Sequence, residues 1–188
     1  MVRNRSGVQF PPAAFDIFLN IKLIPHSISF EINDIGELQT LLEKAYLIEA
    51  NFEITTEWDA YINAEEQNRD LLFTLAHDSE IHKNLLKELS TKIEGITLEK
   101  EFDKTKPEFD FSHMIDEAIF NQLIKYEKLA LDLYTRIHDM TNEEFIKDHW
   151  KGDNYQEYFD KFKWLISEEE KHVRLIRELV GEVELVGD

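Results

Sequence analysis

Glu169 and His172, in the run Ser167-Glu168-Glu169-Glu170-Lys171-His172, are the residues of this chain best suited to chemistry. A Glu three residues before a His brings a carboxylate and an imidazole onto one face of a helix. Together they offer oxygen and nitrogen donors to a divalent metal ion. Taken alone, such a pair on a charged helix is an ordinary solvated one. Here, however, its neighbours at helical spacing are Phe162, Leu165, Ile176 and Leu179. Two polar groups therefore stand in line with an apolar stripe whose other members belong in a core.

The same stripe can be laid over three earlier segments. Ninety residues upstream the positions read Leu72, Leu75, Ser79, His82, Leu86 and Leu89, and His82 falls where His172 falls. A third segment reads Phe120, Leu123, Glu127, Ala130, Tyr134 and Ile137, and a fourth reads Leu42, Ala45, Glu49, Phe52, Thr56 and Asp59. Along the chain the polar members are Glu49, His82, Glu127, and then Glu169 with His172. A lone Glu followed by a helix carrying a His thus occurs twice, as in an internally duplicated bundle. Each residue also has a plainer reading. Glu127 can be a core carboxylate satisfied by Tyr134, His82 a buried histidine bonded to Asp78 or Ser79, and Glu49 a surface residue with Glu53 one turn further on.

Four long helices must position these groups. The first is expected to start at Asn33 or Asp34, either a good N-cap, and to run to about Asn63. The second follows a very short connection and stops near Gly95. A charged, helix-poor stretch through Pro107 then gives a long central crossover, and the third helix spans about Ser112 to Asp139. Thr141-Asn142-Glu143-Glu144 has capping-box spacing and opens a short extra helix through Trp150. The fourth long helix runs from near Asp153 or Asn154 to Gly181. Glu49 and His82 are 33 residues apart and Glu127 and His172 are 45 apart, so the extra helix accounts for the 12-residue excess. Residues 1–33 have no helical period and read as an irregular or extended N-terminal extension ahead of one all-α domain, 34–188.

Composition restricts the alternatives. An apolar content of 43%, with 12% aromatic residues, argues for a packed core rather than disorder. The chain has no Cys, which excludes disulfides, a thiolate nucleophile and cysteine-ligated zinc or iron-sulfur centres on it. A formal charge of −18 disfavours nucleic acid and anionic membranes as partners and attracts cations. No apolar run reaches the roughly 20 residues that span a bilayer. The Phe15–Ile24 stretch is interrupted by Asp16, Asn20 and Lys22 and makes a poor secretory signal, so a cytoplasmic location is expected.

On Glu49 in Leu47-Ile48-Glu49, Glu127 in Lys125-Tyr126-Glu127-Lys128-Leu129-Ala130, Leu75-Ala76 through His82, and Leu165 through His172, residues 34–181 resemble the ferritin-like di-iron carboxylate proteins, rubrerythrin branch. The resemblance implies a ferritin-like four-helix bundle with an iron pair in its core. It implies that Glu49 and His82 hold one iron, that Glu127 and His172 hold the other, and that Glu169 bridges them. Glu169 and Glu127 would then be the catalytic carboxylates. Iron is the implied metal, as two ions or one, with Mn or Zn able to take the same ligands.

Ser79 departs from that pattern, since it stands where a second bridging Glu belongs. A serine removes a negative charge and a good ligand from the His82 side. Asp78, about 40° from His82 around the helix, is the candidate substitute, whereas Glu80 at about 200° faces outward. The activities implied are peroxide reduction or ferrous oxidation, with electrons from a separate donor protein because the chain carries no rubredoxin-like module. A homodimer is the expected assembly. The alternative is a bundle without dinuclear chemistry, acting as a single-metal or metal-free scaffold.

Overall fold

The computed structural model describes residues 31–51, 57–98 and 111–181. The Phe15–Ile24 stretch, Phe52, Glu53, Thr56 and most of the expected crossover lie outside the described residues. Six α-helices occur among the described residues and no strand: α1 Ile35–Asn51, α2 Glu57–Asn63, α3 Arg69–Lys92, α4 Asp116–Met140, α5 Glu143–His149 and α6 Gln156–Val180. The protein is an all-α bundle.

Local chemistry explains most helix boundaries. Asp34 Oδ1 accepts the Glu37 N–H at 2.9 Å, so Asp34 caps α1. Helix α3 stops before Gly95, which takes φ +84°, a left-handed conformation that a β-carbon would penalise. A β-carbon there would also stand 3.3 Å from the Ile35 side chain. Gly181, at φ 75°, ends α6 by donating its N–H to the Arg177 carbonyl. At α5 the cap is Asn142, whose Oδ1 accepts the Phe145 N–H at 3.0 Å. Thr141, the cap expected from the spacing, instead donates to the Ile137 carbonyl and meets the Tyr158 hydroxyl at 3.1 Å.

Two short backbone bridges bind one end of the bundle together. Ile32 donates to Met140 at 2.6 Å and accepts from Asn142 at 3.1 Å, so α1 begins beside the end of α4. Glu94 donates to His149 at 2.7 Å and Lys151 to Lys92 at 2.7 Å, which ties the end of α3 to the α5–α6 corner. At the opposite end, Asp116 accepts from the Glu65 N–H at 3.2 Å and the Asn68 side chain, so α4 begins beside the start of α3. Asp59, at the same end, accepts the Phe111 N–H at 2.9 Å. The chain thus leaves α3 at one end and enters α4 at the other. Helix α3 is about 36 Å long at 1.5 Å per residue. The connecting segment has enough residues to cover that span in extended form at about 3.3 Å each.

The stripes read from the sequence line the core. Leu42, Ala45, Leu72, Leu75, Leu86, Leu89, Phe120, Leu123, Ala130, Tyr134, Ile137, Phe162, Leu165 and Ile176 are all buried. Leu179 is the exception, 47% exposed, because in the last turn of α6 Val180 rather than Leu179 packs against the core. The span expected for the first helix is helical wherever it is described. Its described parts are α1 and α2, with Asp59 in α2, and residues 52–56 between them lie outside the described residues.

Candidate metal centre

Helix periodicity delivers each polar member of the stripe to the same interior. Glu49 comes from the last turn of α1, His82 from the middle of α3, Glu127 from the middle of α4, and Glu169 and His172 from α6. All five are nearly solvent-free, with His82 and His172 each 1% exposed. Burying so many ionisable groups is costly unless they neutralise one another or bind an ion.

Their contacts form two groups that share one residue. Glu169 Oε1 lies 2.9 Å from His82 Nδ1, and Glu169 Oε2 lies 3.8 Å from His172 Nδ1. Each oxygen of Glu169 therefore faces a different histidine. Glu49 Oε1 stands 3.6 Å from His82 Nδ1, and Glu127 Oε2 stands 3.2 Å from His172 Nδ1. Donor atoms of Glu49, His82 and Glu169 lie within 4.8 Å of one another, as do those of Glu127, Glu169 and His172. Either group can hold a metal ion. The two imidazoles lie 5.7 Å apart, at an interplanar angle of 26°.

The His82 side has an unusual polar balance. Both ring nitrogens are buried without a directed hydrogen bond among the described residues, although carboxylate oxygens stand close to Nδ1. An imidazole surrounded by carboxylates off its N–H axis suits metal ligation better than a hydrogen-bond network. Neither Asp78 nor Ser79 bonds His82, which answers the plainer reading of that histidine. Tyr134 likewise gives its hydroxyl to Glu49 rather than to Glu127. Burial first, and then the negative charges of Glu49 and Glu169, hold the Tyr134 phenol well above its ordinary pKa, so it remains a donor and fixes Glu49.

Asp78 sits elsewhere than the spacing suggested. Half-buried, its Oδ2 accepts from His172 Nε2 at 3.1 Å, across the bundle from its own helix neighbour His82. The reason is direction: an Asp four residues before His82 leans toward α6, and its short side chain meets the imidazole there. The hydrogen bond from His172 is the main reason the Asp78 carboxyl is held below its usual pKa. Asp78 thus anchors one nitrogen of His172 and turns the other to the core, the usual outer partner of a metal-binding histidine. Asp78→Asn is expected to weaken ion binding on the His172 side by about 10- to 100-fold. Binding on the His82 side should hold, and competition with a coloured chelator reads both. Equal loss on both sides would refute the positioning role.

Glu168 corresponds in the ninety-residue repeat to Asp78, each preceding the stripe residue, a signal that sequence reading passed over. It forms a third group with Asp78 and His172, but its Oε2 is held by Lys171 Nζ at 2.9 Å. Glu57, fully buried in the first turn of α2, also escaped notice because it lies off the stripe, and it joins none of the three groups. Trp164 lies edge-on to His82 with ring centres 5.4 Å apart. The same side chain lines a surface groove of about 410 Å³ with Ile81, Leu85, Asp160 and Lys161. Glu80 is exposed, as its angular position requires. His77 and His113 are exposed, His138 pairs with Asp139, and His149 bonds the Phe145 carbonyl, so none of these joins the site.

The protonation pattern fits a site that exchanges protons for cations. Burial, followed by the charges of Glu127 and Glu49, pushes the Glu169 carboxyl well above its ordinary pKa. For His172 burial opposes the charge, but the bonds to Asp78 and Glu127 outweigh it and lift the imidazole to about 10. His82 is raised as well, the Glu49 carboxylate overcoming the effect of burial. Protons on these groups are the counter-charges that a metal ion would displace.

Among the described residues no helix is long and apolar enough to cross a membrane. No protein-family model, no curated protein and no solved structure matches the chain.

Proposed function

We propose that this protein is a dinuclear metal protein of the ferritin-like, rubrerythrin-related kind that reduces peroxide with a pair of ferrous ions. The observation that carries this reading is Glu169, whose two oxygens face the two histidines of separate ligand groups. Each group then adds its own carboxylate, Glu49 on one side and Glu127 on the other. A set of three carboxylates and two imidazoles suits Fe²⁺ and Mn²⁺, and it also suits Zn²⁺.

Bound as a ferrous pair, the metals would supply the two electrons that, with two protons, convert hydrogen peroxide to two waters. The chain's own part is positional. Glu169 joins the two halves, Tyr134 keeps Glu49 in place, and Asp78 keeps His172 aimed inward. Apolar residues such as Leu75, Leu123 and Leu165 exclude water. Reducing electrons come from a separate protein, since the chain has no Cys to carry a redox centre of its own. Ferrous oxidation by oxygen is the related activity open to the same ligands.

Ser79 favours one second reading, a protein that binds a single ion or none and acts as a scaffold. Metal content per chain after loading separates the readings: two ions support the dinuclear site, one the reduced site, and none the scaffold. Hydrogen peroxide added to the anaerobic ferrous protein is expected to oxidise both irons, and faster than oxygen does. Ferrous protein left unchanged by peroxide would remove the peroxidase reading and leave ferrous oxidation or the scaffold.

A further inference from the structure

We infer that electrons enter this centre through Trp164, from a one-electron donor protein that seats its redox group on the groove between α3 and α6. The inference rests on the dinuclear reading above and names the entry point for its electrons. Each peroxide reduced takes two electrons from the ferrous pair and, with two protons, leaves as two waters. Both ferric ions must then regain one electron each. With no Cys, the chain has no iron-sulfur or thiol carrier of its own, so two equivalents of an external donor, each oxidised by one electron, close the cycle.

Packing separates most of the centre from such a donor. Glu49, His82, Glu127, Glu169 and His172 are all buried, and apolar side chains such as Leu75, Leu123 and Leu165 surround them. Trp164 spans that wall. Its indole meets the His82 ring edge-on, with centres 5.4 Å apart, while the residue itself is 41% exposed. One side chain thus touches both a candidate ligand and solvent. Electron tunnelling weakens steeply with each ångström of empty gap, and two aromatic rings in contact leave little gap between the groove and a metal on His82. His172 differs, since its outward nitrogen meets the Asp78 carboxylate rather than a second ring.

The surroundings of Trp164 indicate the kind of partner. Ile81, also 41% exposed, and Leu85 join it in the groove, flanked by Asp160 and Lys161. An exposed Trp beside an exposed Ile is the kind of apolar patch that marks a contact surface. Asp160 and Lys161 offset each other, so the groove is locally neutral on a chain of formal charge −18. A donor with an apolar face around its redox group and a basic rim fits this surface. The acidic chain steers the rim, and the face settles on the groove.

The lack of Cys makes a direct test available, because a single introduced Cys is then the one site for a thiol-reactive label. A photoactivated ruthenium reductant is attached at Asp160→Cys in the groove or at Glu80→Cys on the exposed face of α3, and reduction of the iron-loaded ferric protein is followed after a flash. From the groove, Trp164→Leu should slow reduction by about an order of magnitude, and Trp164→Tyr should keep most of the rate. From Glu80→Cys the rate should not depend on Trp164, and iron content should be the same throughout. With ferrous cytochrome c as a basic probe donor, an inert bulky label at Asp160→Cys should slow reduction and the same label at Glu80→Cys should not. A further readout needs no turnover: Co²⁺ added to the metal-free protein should quench part of the indole emission, and that part should vanish in Trp164→Tyr. Reduction from the groove that is indifferent to Trp164→Leu, equal slowing by the two inert labels, or quenching retained in Trp164→Tyr would overturn the inference and leave the dinuclear site intact. Loss of iron from both Trp164 variants would make the residue a support for His82 and overturn it as well. Unaltered protein that binds fewer than two irons would instead defeat the dinuclear reading itself.

Discussion

Glu169→Gln is expected to cost the protein both of its metal ions. Glu169 is the residue common to the two ligand groups, so an amide there removes a charged ligand from each. Loss of an outer partner alone weakens metal binding by about 10- to 100-fold, and loss of a shared direct ligand should exceed the upper figure at both positions. Glu49→Gln and Glu127→Gln should each weaken mainly one ion, on the His82 side and the His172 side respectively. The same change should make the metal-free protein more stable, by roughly 0.5–2 kcal/mol, because functional sites hold strained or costly groups. Burial and the carboxylates of Glu127 and Glu49 already disfavour ionisation of Glu169. Weaker metal binding with a higher melting temperature is a paired signature that a merely damaged fold cannot give. Glu80→Gln, on the exposed face of α3, serves as the control and should stay within about 0.5 kcal/mol. Retention of two tightly bound ions by Glu169→Gln would exclude a shared bridging role.

Metal should also stabilise the fold strongly, and more so at higher pH. An ion present at a thousand times its dissociation constant contributes about 4 kcal/mol. For a chain of this size each kcal/mol shifts the melting temperature by roughly 2–4 °C, which gives about 10 °C for one site. The pH dependence follows from the protons of the metal-free centre. His172 is raised from 6.5 to about 10, so its contribution to stability is complete below pH 6.5 and disappears as pH rises through about 10. Glu169 acts in the same direction. Its folded form prefers the neutral acid, so the metal-free fold is disfavoured progressively once pH exceeds the ordinary value of 4.5. Metal ligands must be deprotonated, and removing these protons becomes easier as pH rises. The metal-free melting temperature should therefore fall between pH 6.5 and 9 while the gain on adding Mn²⁺ grows. Thermal melts at the two pH values, with metal and with chelator, measure both. A gain that shrinks with rising pH would contradict the assigned protonation of His172 and Glu169.

Sequence pattern alone determined which polar residues share the core-facing stripes. The apolar stripes run through Leu42, Leu75, Leu123 and Leu165, and helix periodicity carries Glu49, His82, Glu127, Glu169 and His172 to the same face as the core. The site was legible because those residues interrupt otherwise apolar stripes and recur at related spacings. Its helical frame was legible for a similar reason: few Gly and Pro leave long stretches uninterrupted, Asp34 marks a start, and Gly95 and Gly181 mark stops.

Direction across the bundle was decided only in three dimensions. Asp78 shares a helix with His82 yet anchors His172, and Tyr134 lies on the stripe of Glu127 yet donates to Glu49. Spacing along one helix fixes an angle, but the partner of a side chain is set by which other helix lies opposite and how far the chain reaches. The buried Glu57 and the contact of Trp164 with His82 are tertiary for the same reason. So is the placement of α4 beginning beside the start of α3. That placement depends on contacts from Asp116 to Glu65 and Asn68, residues about fifty positions away that no local pattern connects.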